Sequence, residues 1–212
     1  MAGLAIGELD RAGGWVDPRR ATFIPEFPAS GIAGEAAMLA AFEARELPGD
    51  DDEVDAVLNG IDTLVEAGLA DEQRLLLVGH SYGAYLVNRV LTRTSRFRAA
   101  VCWEGVADLR LLDEESLANQ AAWRGGAPTE VPERWSAASP IDRAGLVRTP
   151  TLLVYGARSG LVAQSEPWYN ALRRAGVQAE LVVEPGQGHT FDSDETANVF
   201  HERVSAWFSN IK

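Results

Sequence analysis

Short, uninterrupted apolar runs alternate along this chain with longer stretches in which apolar residues recur every three or four positions. The run at 74–79 contains Leu75-Leu76-Leu77-Val78 with no polar alternation, the pattern of a strand buried on both faces of a sheet. Similar runs at 97–103, 151–156 (TLLVYG) and 179–184 (AELVVE) predict three more strands. A segment at 22–27 (TFIPEF) predicts another, weakened by Pro25, which cannot donate to a ladder. Helices are predicted at 33–47, 50–70, 82–94, 166–175 and 194–211. In 50–70, Val54, Val57, Leu58, Ile61, Leu64 and Val65 fall on one face behind an acidic first turn, which suits the helix dipole. The last helix is expected to bury Val199, Phe200, Val204, Trp207 and Phe208.

Strands alternating with helices predict an α/β fold: a mostly parallel sheet with helices on both faces, in a single domain spanning 1–212. Residues 111–147 break the rhythm. They hold Gly125-Gly126, Pro128, Pro132 and Pro140 with Trp123 and Trp135, and are too long for a plain connection. A partly helical, lid-like insertion over the site is expected there.

Composition narrows the function classes. The chain has 212 residues, enough for one well-filled core, and a net charge of −12, which repels nucleic acid and anionic membrane. Its one cysteine, Cys102, lies in the run AAVCW and reads as a small core residue; no internal disulfide can form, which is consistent with a reducing compartment. No run is long enough to span a membrane, and MAGLAIGELD lacks a basic segment followed by a long apolar one, so a cytoplasmic protein is expected. Three scattered histidines and one cysteine make no metal-ligand spacing, and no phosphate loop occurs; neither metal nor cofactor is expected.

Chemistry concentrates at Gly79-His80-Ser81-Tyr82-Gly83, a G-x-S-x-G pattern. The pattern alone is short, and its setting gives it weight: it directly follows a buried strand and directly precedes a helix. A sharp strand-to-helix turn lifts a serine hydroxyl clear of a sheet, and glycines on either side let the two backbones pack. Ser81 is therefore the expected nucleophile, with the Tyr82 backbone N–H at the helix N-terminus as oxyanion donor. Of the histidines, His80 sits inside the turn and His201 on the last helix. His189 follows the strand at 179–184 in a Pro-Gly-Gln-Gly-His loop, at the sheet edge from which a base can reach Ser81.

With these elements placed, residues 50–212 resemble the catalytic domain of the prolyl oligopeptidase family of serine peptidases, an α/β-hydrolase fold. Its dipeptidyl-peptidase and acylaminoacyl-peptidase branches are most similar. The resemblance rests on ADEQR before the nucleophile strand, GHSYGAYLVN at the turn, FRAAVCWEGVADL after it, WRGGAPTEVPERWSAASPID, TPTLLVYGARSGLV, and AGVQAELVVEPGQGHTF around His189. It implies attack by Ser81 on an amide or ester carbonyl of a peptide or small molecule, through an acyl-enzyme.

Two departures stand out. Where the family carries its acid, in the loop after TLLVYG, this chain has Ser159, which can hydrogen-bond an imidazole but cannot balance its charge. Glu104, at the end of the neighbouring strand, is the best substitute; Asp108, Glu184 and Asp192 are weaker ones. The front is also shortened: about twenty residues precede TFIPEF, with Gly13-Gly14-Trp15 where the family has a histidine-led oxyanion loop. Either the front sheet is reduced or a second copy in an oligomer completes it. The family's β-propeller, which restricts substrate size, has no counterpart in this sequence. These departures keep open a rival reading, a non-hydrolytic relative: a binding protein, an acyl transferase or cyclase, or an epimerase-like enzyme. Trp103 and Arg158 are secondary candidates for substrate contact, through an apolar group and a carboxylate respectively.

Overall fold

The computed structural model describes residues 2–6, 21–25 and 51–211. Six parallel strands, β1 (Ala2–Ile6), β2 (Ala21–Phe23), β3 (Leu76–His80), β4 (Ala99–Trp103), β5 (Thr151–Gly156) and β6 (Ala179–Glu184), form one sheet in the order β2-β1-β3-β4-β5-β6. Six α-helices are described: α1 (Asp51–Glu66), α2 (Tyr82–Leu91), α3 (Glu114–Arg124), α4 (Pro132–Ala138), α5 (Ser165–Arg174) and α6 (Asp194–Asn210).

The unbroken apolar runs acquire a two-sided logic in the sheet. Leu77, Ala100, Cys102, Leu153 and Tyr155 face a core made with α1, α2 and α5, whereas Leu76, Val78, Val101, Leu152 and Val154 face Phe200, Val204 and Trp207 of α6. Both sets are buried, so the period of two is hidden in the sequence. Trp207 also donates its indole N–H to the Ala100 carbonyl at 3.1 Å, tying α6 to the middle of the sheet.

Among the described residues the expected helices and strands appear, with ends set by local chemistry. α1 stops at Glu66 because Gly68 turns the chain at φ 69°, rather than running on to residue 70. The strand at 22–27 reduces to Ala21–Phe23, ending before Pro25. β1 was not anticipated: AGLAI has little β-propensity, and it joins the sheet through pairing with both β2 and β3. The predicted helix at 33–47 and the Gly13-Gly14-Trp15 segment lie outside the described residues. Residues 111–147 contain α3, α4 and a 3₁₀ turn at Pro140–Leu146. Trp135 of α4 is fully buried and packs with Tyr85, and Tyr85 donates its hydroxyl to the Ala138 carbonyl at 2.9 Å. The segment is thus seated on the first turns of α2. Among the described residues, no helix is long and apolar enough to cross a membrane.

Candidate active site

The site forms where β3, β4 and β5 reach their C-terminal ends. Ser81 joins β3 to α2 at φ 54°, ψ −120°, and its carbonyl accepts from the N–H groups of Ala84 and Tyr85, opening the helix. A positive φ is unusual for a residue with a Cβ, and this one turns the chain within one residue. Gly79 permits the crossing: a Cβ there would run into the Gly83 carbonyl.

Ser81 Oγ lies 2.9 Å from Nε2 of His189, which sits in the loop between β6 and α6. The other ring nitrogen, Nδ1, lies 3.5 Å from Oε2 of Glu104, an ion-pair contact that is long for a hydrogen bond. Glu104 directly follows β4, is fully buried, and has φ 56°. Its Oε1 accepts from the Gly156 N–H, and its Oε2 accepts from the Ser159 hydroxyl. Ser159 in turn accepts from the Leu161 N–H at 3.1 Å. Ser159 and Glu104, the expected substitute acid, therefore touch each other, and Ser159 holds the carboxylate rather than the imidazole.

A buried polar frame holds the backbone after Glu104. Tyr155 donates its hydroxyl to the Gly105 carbonyl, and Asn88 donates to the Val106 carbonyl at 3.0 Å. Gln164 accepts from the Ala107 and Asp108 N–H groups and donates to the Asp108 carbonyl. The sequence reading passed over Asn88 and Gln164. Their one signal is polarity on faces otherwise reserved for apolar side chains, since buried amides are kept only when satisfied.

The remaining sequence candidates are engaged elsewhere. Asp108 pairs with Arg110, Glu184 with Arg203, and Asp192 with Arg158, so none of the three meets His189 in these contacts. Arg158 is exposed and its pair with Asp192, at 2.6 Å, bridges the loops after β5 and β6. Trp103 is 8% exposed, stacked on His80 and Phe191. Most of its ring surface is taken up by that packing. Tyr82 starts α2 and turns its hydroxyl to Glu53; burial, and then the Glu53 charge, push that phenol's pKa far up. His201 lies on α6, where burial lowers its pKa. Cys102 is fully buried and donates its thiol to Asn88 at 3.0 Å, with its pKa driven up by burial, as suits a core residue.

The sequence matches the model of the prolyl oligopeptidase family over residues 41–211. The chain belongs to that family. Among curated relatives it is 25% identical to an acylamino-acid-releasing enzyme of Arabidopsis thaliana, over 78% of this chain and 24% of the relative. It is 26% identical to dipeptidyl-peptidase 5 of Schizosaccharomyces pombe, over 65% of this chain and 21% of the relative. The chain thus spans about a quarter of the length of these prolyl oligopeptidase relatives. A puromycin-hydrolyzing peptidase of Mycobacterium tuberculosis superposes on 99% of this chain with a TM-score of 0.80 at 21% identity, this chain matching 34% of it. An acylaminoacyl peptidase of Pyrococcus horikoshii does so on 99% with a TM-score of 0.75 at 20% identity, matching 36% of it. These likenesses give the prolyl oligopeptidase member its α/β-hydrolase fold.

Proposed function

We propose that this protein is a serine hydrolase that cleaves a peptide, amide or ester bond through an acyl-enzyme on Ser81. The observation that carries the reading is the continuous line from Ser81 Oγ through the His189 imidazole to the Glu104 carboxylate, at 2.9 and 3.5 Å. His189 Nε2 takes the hydroxyl proton as Ser81 attacks the carbonyl carbon. The tetrahedral oxyanion that forms is met by the Tyr82 N–H, one of the unpaired donors at the start of α2. Collapse expels the amine or alcohol, which His189 protonates, and leaves the acyl group on Ser81. Water then attacks with His189 again as base, releasing the acid and restoring the serine.

Glu104 is the acid of this machinery. Its carboxylate fixes the tautomer that keeps Nε2 ready to accept, and stabilises the imidazolium; an acid in this role is worth on the order of 10⁴ in kcat. The missing acid is one of the two departures that keep a non-hydrolytic relative open, and Glu104 beside His189 weighs against that reading. The names of the relatives point to peptide and amide substrates, and activated esters report on the same chemistry. Residues 111–147 pack beside Tyr82 and Tyr85, at the start of the helix that follows Ser81.

The test is labelling by a fluorophosphonate probe. Wild-type protein is expected to label, Ser81→Ala not at all, and turnover of an activated ester is expected to vanish with the label. Equal turnover by Ser81→Ala would sink the reading, and products formed with an added amine in place of water would redirect it to acyl transfer.

A further inference from the structure

His80 has no part in the proton transfers above, yet it contacts the loop that makes them work. It is the last residue of β3 and immediately precedes Ser81. Its Nε2 lies 2.8 Å from the backbone carbonyl of His189. A carbonyl oxygen only accepts, so that nitrogen carries the hydrogen and His80 is the donor. The His80 ring stacks on Trp103 with centroids 3.8 Å apart, and Trp103 stacks on Phe191 at 4.2 Å. Phe200 of α6 tilts against both Trp103 and Phe191, at 4.9 and 5.0 Å. Two residues of the base loop, 189 through its carbonyl and 191 through its ring, are therefore gripped by the ends of the strands that present Ser81 and Glu104.

The rest of that loop is held from the loop after β5. The Arg158 N–H donates to the Gln187 carbonyl at 2.9 Å, the Asp192 N–H lies 3.4 Å from the Gln187 side chain, and Arg158 pairs with Asp192 at the surface. Gly186 turns at φ 76°, and the His189 side chain is 42% exposed. A half-open histidine on a glycine-bearing loop has many rotamers and several backbone positions open to it, and only one aligns Nε2 with Ser81.

We infer that His80 is a positioning residue for His189: its N–H fixes the carbonyl of residue 189, while its ring closes an aromatic column that pins residue 191. The two roles require a flat ring and a donor in one side chain. This rests on the proposed role of His189, and two variants separate the parts. His80→Phe keeps a ring and loses the donor; His80→Gln keeps a donor and loses the ring.

Ester hydrolysis and amide hydrogen exchange over residues 185–193 are measured on the full chain. For His80→Phe the expected result is a kcat lowered by about tenfold to a hundredfold at unchanged KM, the range a misplacement near 1 Å produces, with faster exchange confined to 185–193. His80→Gln is expected to recover part of kcat. Wild-type exchange in that segment, or wild-type kcat beside faster exchange, overturns the inference. A His80→Phe chain that does not fold is replaced by His80→Ala, judged by the same two readouts. Wild-type protein that fails to react with fluorophosphonate would overturn the hydrolase reading instead, and the exchange comparison would still decide whether His80 holds the loop.

Discussion

Ser81 and Glu104 stand side by side on neighbouring strands. His80 pairs with Trp103 across the β3–β4 ladder, so the next residue of each strand is Ser81 on one and Glu104 on the other. They are also the two non-glycine residues with positive φ among the described residues, at 54° and 56°. Each such conformation costs roughly 1–3 kcal/mol and persists only where the surroundings impose it. Here the Ser81 N–H donates to the Trp103 carbonyl and the Glu104 N–H to the Val154 carbonyl, so the ladder continues into both turns.

Replacing Glu104 by glutamine is expected to lower kcat for an activated ester by about 10³–10⁴ with little change in KM. Glutamine retains an oxygen that can accept from Gly156, so the fold is expected to survive, as circular dichroism would show. A loss smaller than about threefold would remove Glu104 from the machinery.

Ser159→Asp places a second carboxylate against a fully buried one. Two such groups cannot both ionise there, so one takes a proton or the loop moves. The variant is expected to melt about 4–8 °C below wild type, corresponding to roughly 2 kcal/mol, with no gain in activity. Adding Glu104→Gln removes one of the two carboxylates and is expected to restore the melting temperature, a coupling that a thermal double-mutant cycle would measure. Higher activity from Ser159→Asp alone would mean that the acid belongs at 159 after all.

Gly156→Ala tests the join between β5 and the base loop. A Cβ at 156 would collide with the backbone of Gln187 and Gly188, immediately before His189. Because the obstruction is main chain, it cannot rotate away, and the loop must shift. Ester turnover is expected to fall by about a hundredfold. Turnover within a factor of two of wild type would show that the loop accommodates the methyl group.

Cys102 is expected to resist a thiol reagent at pH 8 in the native protein and to react fully in urea. Burial raises its pKa, so the thiolate that would react is scarce, and the sheet blocks access. Rapid native reaction, followed by absorbance, would contradict this packing.

Trp135→Ala removes a fully buried indole that donates to the Gly126 carbonyl. The expected cost is about 3–5 kcal/mol in urea unfolding, since the helix pair α3 and α4 cannot close the space. A loss under about 1 kcal/mol would show that α4 is not rigidly seated.

What the sequence made legible was local. Ser81 could be read because a strand, a turn and a helix adjoin within a dozen residues, and His189 because it follows a strand in a glycine-bearing loop. Glu104 could be named as a candidate from its place at a strand end, but its choice over Asp108, Glu184 and Asp192 depends on three segments meeting: the end of β4, the loop at 156–159 and the loop at 185–193. No periodicity carries that information. The stacking of Trp103 on His80 was not legible, because an aromatic residue beside a site loop looks the same in sequence whether it faces a ligand or packs on a neighbour. β1 escaped because AGLAI owes its strand character to its neighbours, not to its own residues.

The shared register of Ser81 and Glu104 has a mechanical consequence. Adjacent strands are bolted about 4.8 Å apart by their ladder, so two of the three groups in the Ser81–His189–Glu104 line are fixtures of the sheet, and the third rides on a hinge. Warming such an assembly would disarm it one part at a time: the hinged arm swings out while the chassis stays whole, so activity would fade below the temperature at which the fold gives way.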